Sequence, residues 1–173
     1  MYDARPVISG LPEGEGHDPA EFYAAAIYGS ILAVAFITIF REEHSEPQAV
    51  AVSVIGTMAV FWLAHVWSAM LGERMHTRQH VPLARLRSIA RAEWPLMEAG
   101  IAPGVVLALG WIGVIGESRA EDIALAVCII QLFAWGLVIG HRTYDRWWPA
   151  TLTGLVDGLL GLVIVALEVN VAH

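Results

Sequence analysis

The chain has 173 residues, 57% of them hydrophobic and 16% charged, with a mean hydropathy of +0.58 and a formal net charge of −7. Soluble domains carry about a quarter charged residues. Here the apolar residues fall in five blocks, each near the roughly 20 residues a helix needs to cross a bilayer. A soluble enzyme domain is thereby excluded, and an acidic balance concentrated in the N-terminal tail and the loops does not point to nucleic acid.

The expected fold is all-α: a polytopic membrane helical bundle of about five transmembrane helices plus one short interfacial amphipathic helix. Residues 1–20 contain Gly10, Pro12, Gly14, Gly16 and Pro19 among several acids and read as a flexible tail. They lack the basic start and apolar centre of a signal peptide, so the first membrane helix is expected to direct its own insertion. Residues 21–173 read as one transmembrane domain.

Helix 1 is expected over about 21–40, started by Asp18-Pro19, an acidic cap followed by a proline whose missing N–H costs nothing there. The acidic loop 41–47 ends it, and an uninterrupted second helix follows over about 48–72. Residues 73–93 differ in kind. They hold Arg74, Arg78, Arg85, Arg87 and Arg91, with Leu83, Leu86, Ile89 and Ala90 between them. From Pro82 onward the apolar positions recur at helical spacing, which predicts an amphipathic helix on the membrane surface with its arginines near anionic lipid head groups. The alternative is a plain basic loop that only orients the protein.

Helix 3 is expected over about 94–115, with Pro95 in its first turn and Pro103 inside it, where a kink is expected. After an acidic loop at 116–122, helix 4 spans about 123–141. The loop 142–148 leads to Pro149 and helix 5 over about 150–170. Arginine-rich short loops stay cytoplasmic. The stretch 73–93 holds five arginines and the loop 142–148 two, whereas the opposite loops, 41–47 and 116–122, hold one each beside several acids. The expected protein therefore crosses a bacterial plasma membrane several times, with its N-terminus inside and its C-terminus outside. Trp94, Trp147 and Trp148 fall at the inner boundaries, where tryptophan prefers to sit. All ten basic residues are arginine, a usage that fits a GC-rich bacterial genome. The single Cys128 excludes an intrachain disulfide.

Ionisable groups inside a membrane helix are costly, and they mark pathways, cavities or buried partners. His65 in helix 2, Glu98 in helix 3, Gln131 in helix 4 and Asp157 in helix 5 fall in or near the inner half of the membrane, with Glu21 and Tyr28 on helix 1. Pointing inward together, they would make a polar cavity open to the cytoplasm. His65, Ala69, Gly72 or Glu73, and His76 share a helix face, which suits proton or cation entry because histidine titrates near neutral pH. A buried neutral His65 bonded to one neighbour is the equal alternative. Asp157 lies in Gly154-Leu-Val-Asp157-Gly158, a GxxxG pattern that permits close helix approach. A carboxylate there is either a protonatable or cation-binding group, or a packing group bonded to a neighbouring helix. Gly136 and Gly140 form a second such pattern on helix 4, whose commoner meaning is packing within the bundle and whose rarer meaning is contact between subunits. His65, Glu98 and Asp157 are ligand types for a divalent metal, but no local ligand spacing supports a metal site, and no cofactor is expected. No nucleophile–base motif, phosphate loop or CxxC is present.

Tyr28-Gly29-Ser30, the segment Phe61-Trp62-Leu63-Ala64-His65-Val66-Trp67 and the ending Leu159–His173 resemble small integral membrane proteins of actinobacteria, a resemblance over most of the chain that carries no activity with it. The Trp62-x-x-His65 spacing is similar, more distantly, to helix 2 of bacterial relatives of the lysosomal potassium channel. That family has six helices per unit and a Phe-Ser-Asp motif in the first. This sequence has neither, so no pore residue carries over.

The expected function is a small, homo-oligomeric channel or transporter for protons or a small cation, using His65 and Asp157, with Glu98, Gln131 and Tyr28 lining its cavity. The alternatives are a membrane accessory or lipid-binding subunit docked by its arginine segment, and an intramembrane enzyme on a lipid-linked substrate with Asp157 and Glu98 as acid and base.

Overall fold

The structure is a computed structural model that describes residues 19–43, 47–78 and 80–171; most of the expected tail lies outside them. Every regular element among the described residues is a helix: α1 (Pro19–Glu43), α2 (Pro47–Thr77), α3 (Leu83–Ala92), α4 (Trp94–Glu98), α5 (Ile101–Trp111), α6 (Glu117–Tyr144) and α7 (Trp147–Val171). Five spans are long and apolar enough to cross a membrane, with α4 and α5 together making one of them. The protein is thus a multi-pass membrane bundle. In lipid every backbone N–H and C=O must be satisfied internally, and helices do this within one segment.

The long helices run further than the apolar blocks predict, because polar residues extend them at both ends. Residues 117–122, expected as a loop, are the first turns of α6, and 73–77 are the last turns of α2. The charges suit those positions. Glu21 and Glu117 sit in the first turns of α1 and α6, while Arg41, Arg74 and Arg142 sit in the last turns of α1, α2 and α6. Each complements the partial charge of its helix end. The link from α6 to α7 is tight: Asp145 turns the chain in the left-handed region at φ 49°.

The expected kink at Pro103 is corrected in position. The third span breaks at Ala99–Gly100, and Pro103 belongs to the first turn of α5. The reason is the reach of proline. Its missing N–H and its ring act on the carbonyl four residues earlier, which is Ala99. The ladder tightens there, with the Gly100 N–H donating to Met97 O at 3.1 Å, and resumes with the Gly104 N–H donating to Gly100 O at 2.9 Å.

α1, α2, α4–α5 and α6 enclose the core. It holds Ala33, Val34 and Ile37 of α1, Val50, Val54 and Met58 of α2, Leu96 of α4, Leu107 of α5, and Ala124, Cys128 and Leu132 of α6. α7 flanks this group, packed on α6 and along α1. The core is apolar. The buried hydroxyls of Ser30 and Thr38 donate back to the carbonyls of Ala26 and Val34 on their own helix, each at 2.9 Å. The outward faces carry Val52, Val60, Leu63, Leu155, Leu159 and Leu162, all exposed, as suits surfaces solvated by lipid chains.

Small residues set the helix spacings. On α1, a β-carbon at Gly29 would lie 2.5 Å from the Leu96 carbonyl oxygen, so α1 and α4 meet backbone to backbone. A β-carbon at Gly110 would lie 2.5 Å from that of Ala120, which seats α5 against the start of α6. Across the α6–α7 crossing, β-carbons at Gly136 and Gly140 would lie 2.8 Å from Gly154 Cα and 2.6 Å from Ala150 Cα. These glycines are occupied within one chain, so any contact between copies must use another face.

Candidate functional site

The two ends of the bundle differ chemically. At one end Arg41 of α1 binds Glu121 at 3.3 Å and Asp122 at 2.8 Å, tying α1 to the start of α6. The other end carries the arginines of 73–93 and 142–146, with exposed Trp94, Tyr144, Trp147 and Trp148 around it.

At the arginine-rich end α3 folds back along α2. Its Ile89 is buried, and the Trp62 indole N–H of α2 donates to Ala90 O at 3.2 Å. The Arg85 guanidinium grips Glu73 of α2 through two bonds of 3.0 Å each. Trp62 also meets Trp94 edge to face at 5.8 Å, which puts the start of α4 at the level of Trp62. The amphipathic segment is therefore a helix pinned at both ends, not a plain loop. Arg85 is committed to Glu73. Arg74, Arg78, Arg87 and Arg91 are exposed and have no ion pair among the described residues.

His65 lies on α2, one turn from Trp62. Its Nδ1 is 3.0 Å from Phe61 O on its own helix, and its ring packs at 5.5 Å on that of Tyr28 in α1. Tyr28 is 41% exposed, so this pair sits on the outer side of the α1–α2 contact. His76, further along the same stripe, is exposed.

Asp157 lies half-buried in the α6–α7 contact, its Oδ2 set against Gly136. It has no hydrogen-bond or ion partner among the described residues. Close by, the Thr153 hydroxyl donates to Pro149 O at 3.0 Å and fits against Gly140. Toward the α6–α7 turn, the His141 ring stacks on Trp147 at 4.5 Å, and its buried Nδ1 has no partner among the described residues.

Glu98 and Gln131 come together. A groove of about 270 Å³ between α1, α4–α5 and α6 is lined by Phe22, Ala26, Pro95, Glu98, Ala99, Ile101, Ala102, Gln131 and Trp135. Glu98 is exposed at its edge, and Gln131 carries a buried Oε1 with no partner among the described residues. Phe22 and Tyr23 each pack on Trp135 at 5.9 Å, and the Arg142 guanidinium lies 5.3 Å from the Tyr23 ring.

The sequence candidates therefore fall into three places. Tyr28 and His65 form one pair, Glu98 and Gln131 share the groove, and Asp157 stands at the α6–α7 contact. Helix α1 separates His65 from Asp157, since α2 packs on α1, α3, α4 and α5 while α7 packs on α6 and α1. Among the described residues, no three His, Cys, Asp or Glu side chains stand together as a metal site would require. Sequence reasoning missed the aromatic cluster of Phe22, Tyr23 and Trp135 and the role of Gly29. For Gly29 a signal was present: Ala26, Gly29, Ser30 and Ala33 make a stripe of small residues at helical spacing. Comparison with known protein families, curated proteins and solved structures finds no match.

Proposed function

We propose that this chain is a membrane accessory or lipid-binding protein of a bacterial plasma membrane, with its arginine-rich end and N-terminus on the cytoplasmic side. The observation that carries this reading is the state of the arginines. Four of the five in 73–93 are exposed and unpaired among the described residues, while α3 is fastened to α2 by Trp62, Ile89 and the Glu73–Arg85 pair. A fixed scaffold that leaves guanidinium groups free suits anionic head groups, whose phosphates accept bidentate bonds from arginine. The apolar packed core supports the same reading, because the titratable candidates lie at separate helix contacts and not in one shared chamber.

The test is lipid retention by native mass spectrometry of the protein released from nanodiscs. Wild-type protein should retain phosphatidylglycerol over phosphatidylcholine, and Arg78→Gln, Arg87→Gln and Arg91→Gln together should remove most of that preference. Each arginine near the surface contributes about 1 kcal/mol, so the triple variant should lose on the order of a hundredfold. Unchanged retention in the triple variant would remove the reading.

A second reading, movement of protons or a small cation, draws support from Asp157 alone, a carboxylate within a membrane span that lacks a partner among the described residues. Flux into liposomes decides it: conduction by wild-type protein that Asp157→Asn abolishes would favour transport, and wild-type flux equal to empty liposomes over a panel of ions would dismiss it.

A further inference from the structure

The groove between α1, α4–α5 and α6 has a chemistry of its own, separate from the arginine surface. Its walls are Phe22, Pro95, Ile101 and Trp135, and its polar groups are the Glu98 carboxylate and the Gln131 amide. A carboxylate is acceptor-only, and the Gln131 Oε1 is a buried acceptor with no donor among the described residues. A buried polar atom without a partner is costly, and the deficit is met when a donor enters. The aromatic rings add a second attraction for positive charge, and the same cluster already holds one cation, since Arg142 lies over Tyr23.

We infer that this groove binds a primary ammonium group carried by an amphiphile of the adjacent leaflet. Three features select that group. An ammonium matches the Glu98 charge. Its N–H donors can bond the carboxylate directly, which a quaternary ammonium cannot do. Finally, its chain has a way out, because Phe22, Glu98, Ile101 and Ala102 are all exposed and the groove opens sideways into lipid. The volume sets the scale of the occupant. At about 270 Å³ the groove falls just under the range of about 300–1,000 Å³ for whole drug-sized ligands, so it takes a head and leaves the tail outside.

Two sources carry this chemistry, an aminophospholipid and a simple alkylamine, and the experiment separates them. Full-length protein in nanodiscs is given equal phosphatidylethanolamine and phosphatidylcholine, and lipid retained by the released protein is counted by native mass spectrometry. Wild-type protein should hold the ethanolamine lipid about tenfold over the choline lipid, as expected for one charge-assisted hydrogen bond. Glu98→Gln should abolish that preference, and Ala102→Trp, which fills the groove and keeps the Glu98 carboxylate, should abolish it too. Both positions are exposed, and an unchanged melting temperature will show that the fold survives. Displacement of the bound lipid by dodecylamine assigns recognition to the ammonium alone, whereas displacement only by ethanolamine lipid assigns it to the whole head group; either supports the site. The arginine triple variant should keep the ethanolamine preference even where it loses anionic lipid, so the two proposals fail separately. Equal retention of the two lipids by wild-type protein, or wild-type preference in both Glu98→Gln and Ala102→Trp, overturns the inference.

Discussion

The Oδ2 atom of Asp157 stands where a β-carbon on Gly136 would have to go. The two residues come from different helices and define how closely α6 and α7 can approach. That β-carbon would also lie 2.8 Å from Gly154 Cα and 2.9 Å from Thr153 O, so the space is closed from several sides. Gly136→Ala should therefore destabilise the protein by about 1–3 kcal/mol, the usual cost of overpacking. Pairing it with Asp157→Ala should recover part of that loss, and the unfolding midpoint in detergent measures both. Gly158→Ala should be close to neutral, because its β-carbon would meet Phe133 at an ordinary 3.6 Å. Equal costs at 136 and 158 would contradict the assigned crossing.

Gly29 offers a harder boundary, since its opposing atoms are backbone. With Leu96 O at 2.5 Å and Leu96 Cα at 2.9 Å, no rotamer change relieves a methyl group. Gly29→Ala should lower stability by on the order of 2 kcal/mol. It should also move α4 away from α1 and so widen the groove at Glu98. Greater access of a cysteine at Ala102 to a maleimide would report that movement.

Sidedness can be read with one native residue left in place. Cys128 is fully buried, so wild-type protein should remain unlabelled by an impermeant maleimide. A cysteine replacing Ser88 on α3 should react from the face opposite to one replacing Ser118 at the start of α6. Labelling of both from one side would mean that α4–α5 does not cross.

Arg41 is half-exposed against Glu121 and Asp122, so its pairs are screened by solvent. Arg41→Gln should cost no more than about 1 kcal/mol, and the difference should shrink as salt is raised through the range where the Debye length falls below about 10 Å. A larger, salt-independent loss would show that the pair does more than tether two helix ends.

The spans were legible in the sequence because an apolar run is a local property, readable without knowing its neighbours. The amphipathic helix was legible for the same reason, from the spacing of Leu83, Leu86 and Ile89. Proline was legible as a disturbance but not in place, since Pro103 acts one turn earlier, at Ala99. What periodicity does not encode is which faces meet. Glu98 and Gln131 are 33 residues apart and share a groove only because α4 packs on α1 and α5 on α6. His65 and Asp157 looked like partners by depth, but α1 lies between their helices. Depth comes from counting along one helix; adjacency comes from the small residues that decide which helices touch.

The broken third span has a mechanical consequence for the bilayer. From Trp94 to Trp111 it has 18 residues, at most about 27 Å long, whereas α2 and α6 exceed the hydrocarbon thickness of roughly 30 Å. Lipid beside α4–α5 therefore meets a shorter wall than lipid beside α2, and it accommodates the mismatch by thinning locally. That thinning draws the head-group layer inward on the side where Glu98 stands, so the protein deforms its own solvent at the mouth of the groove.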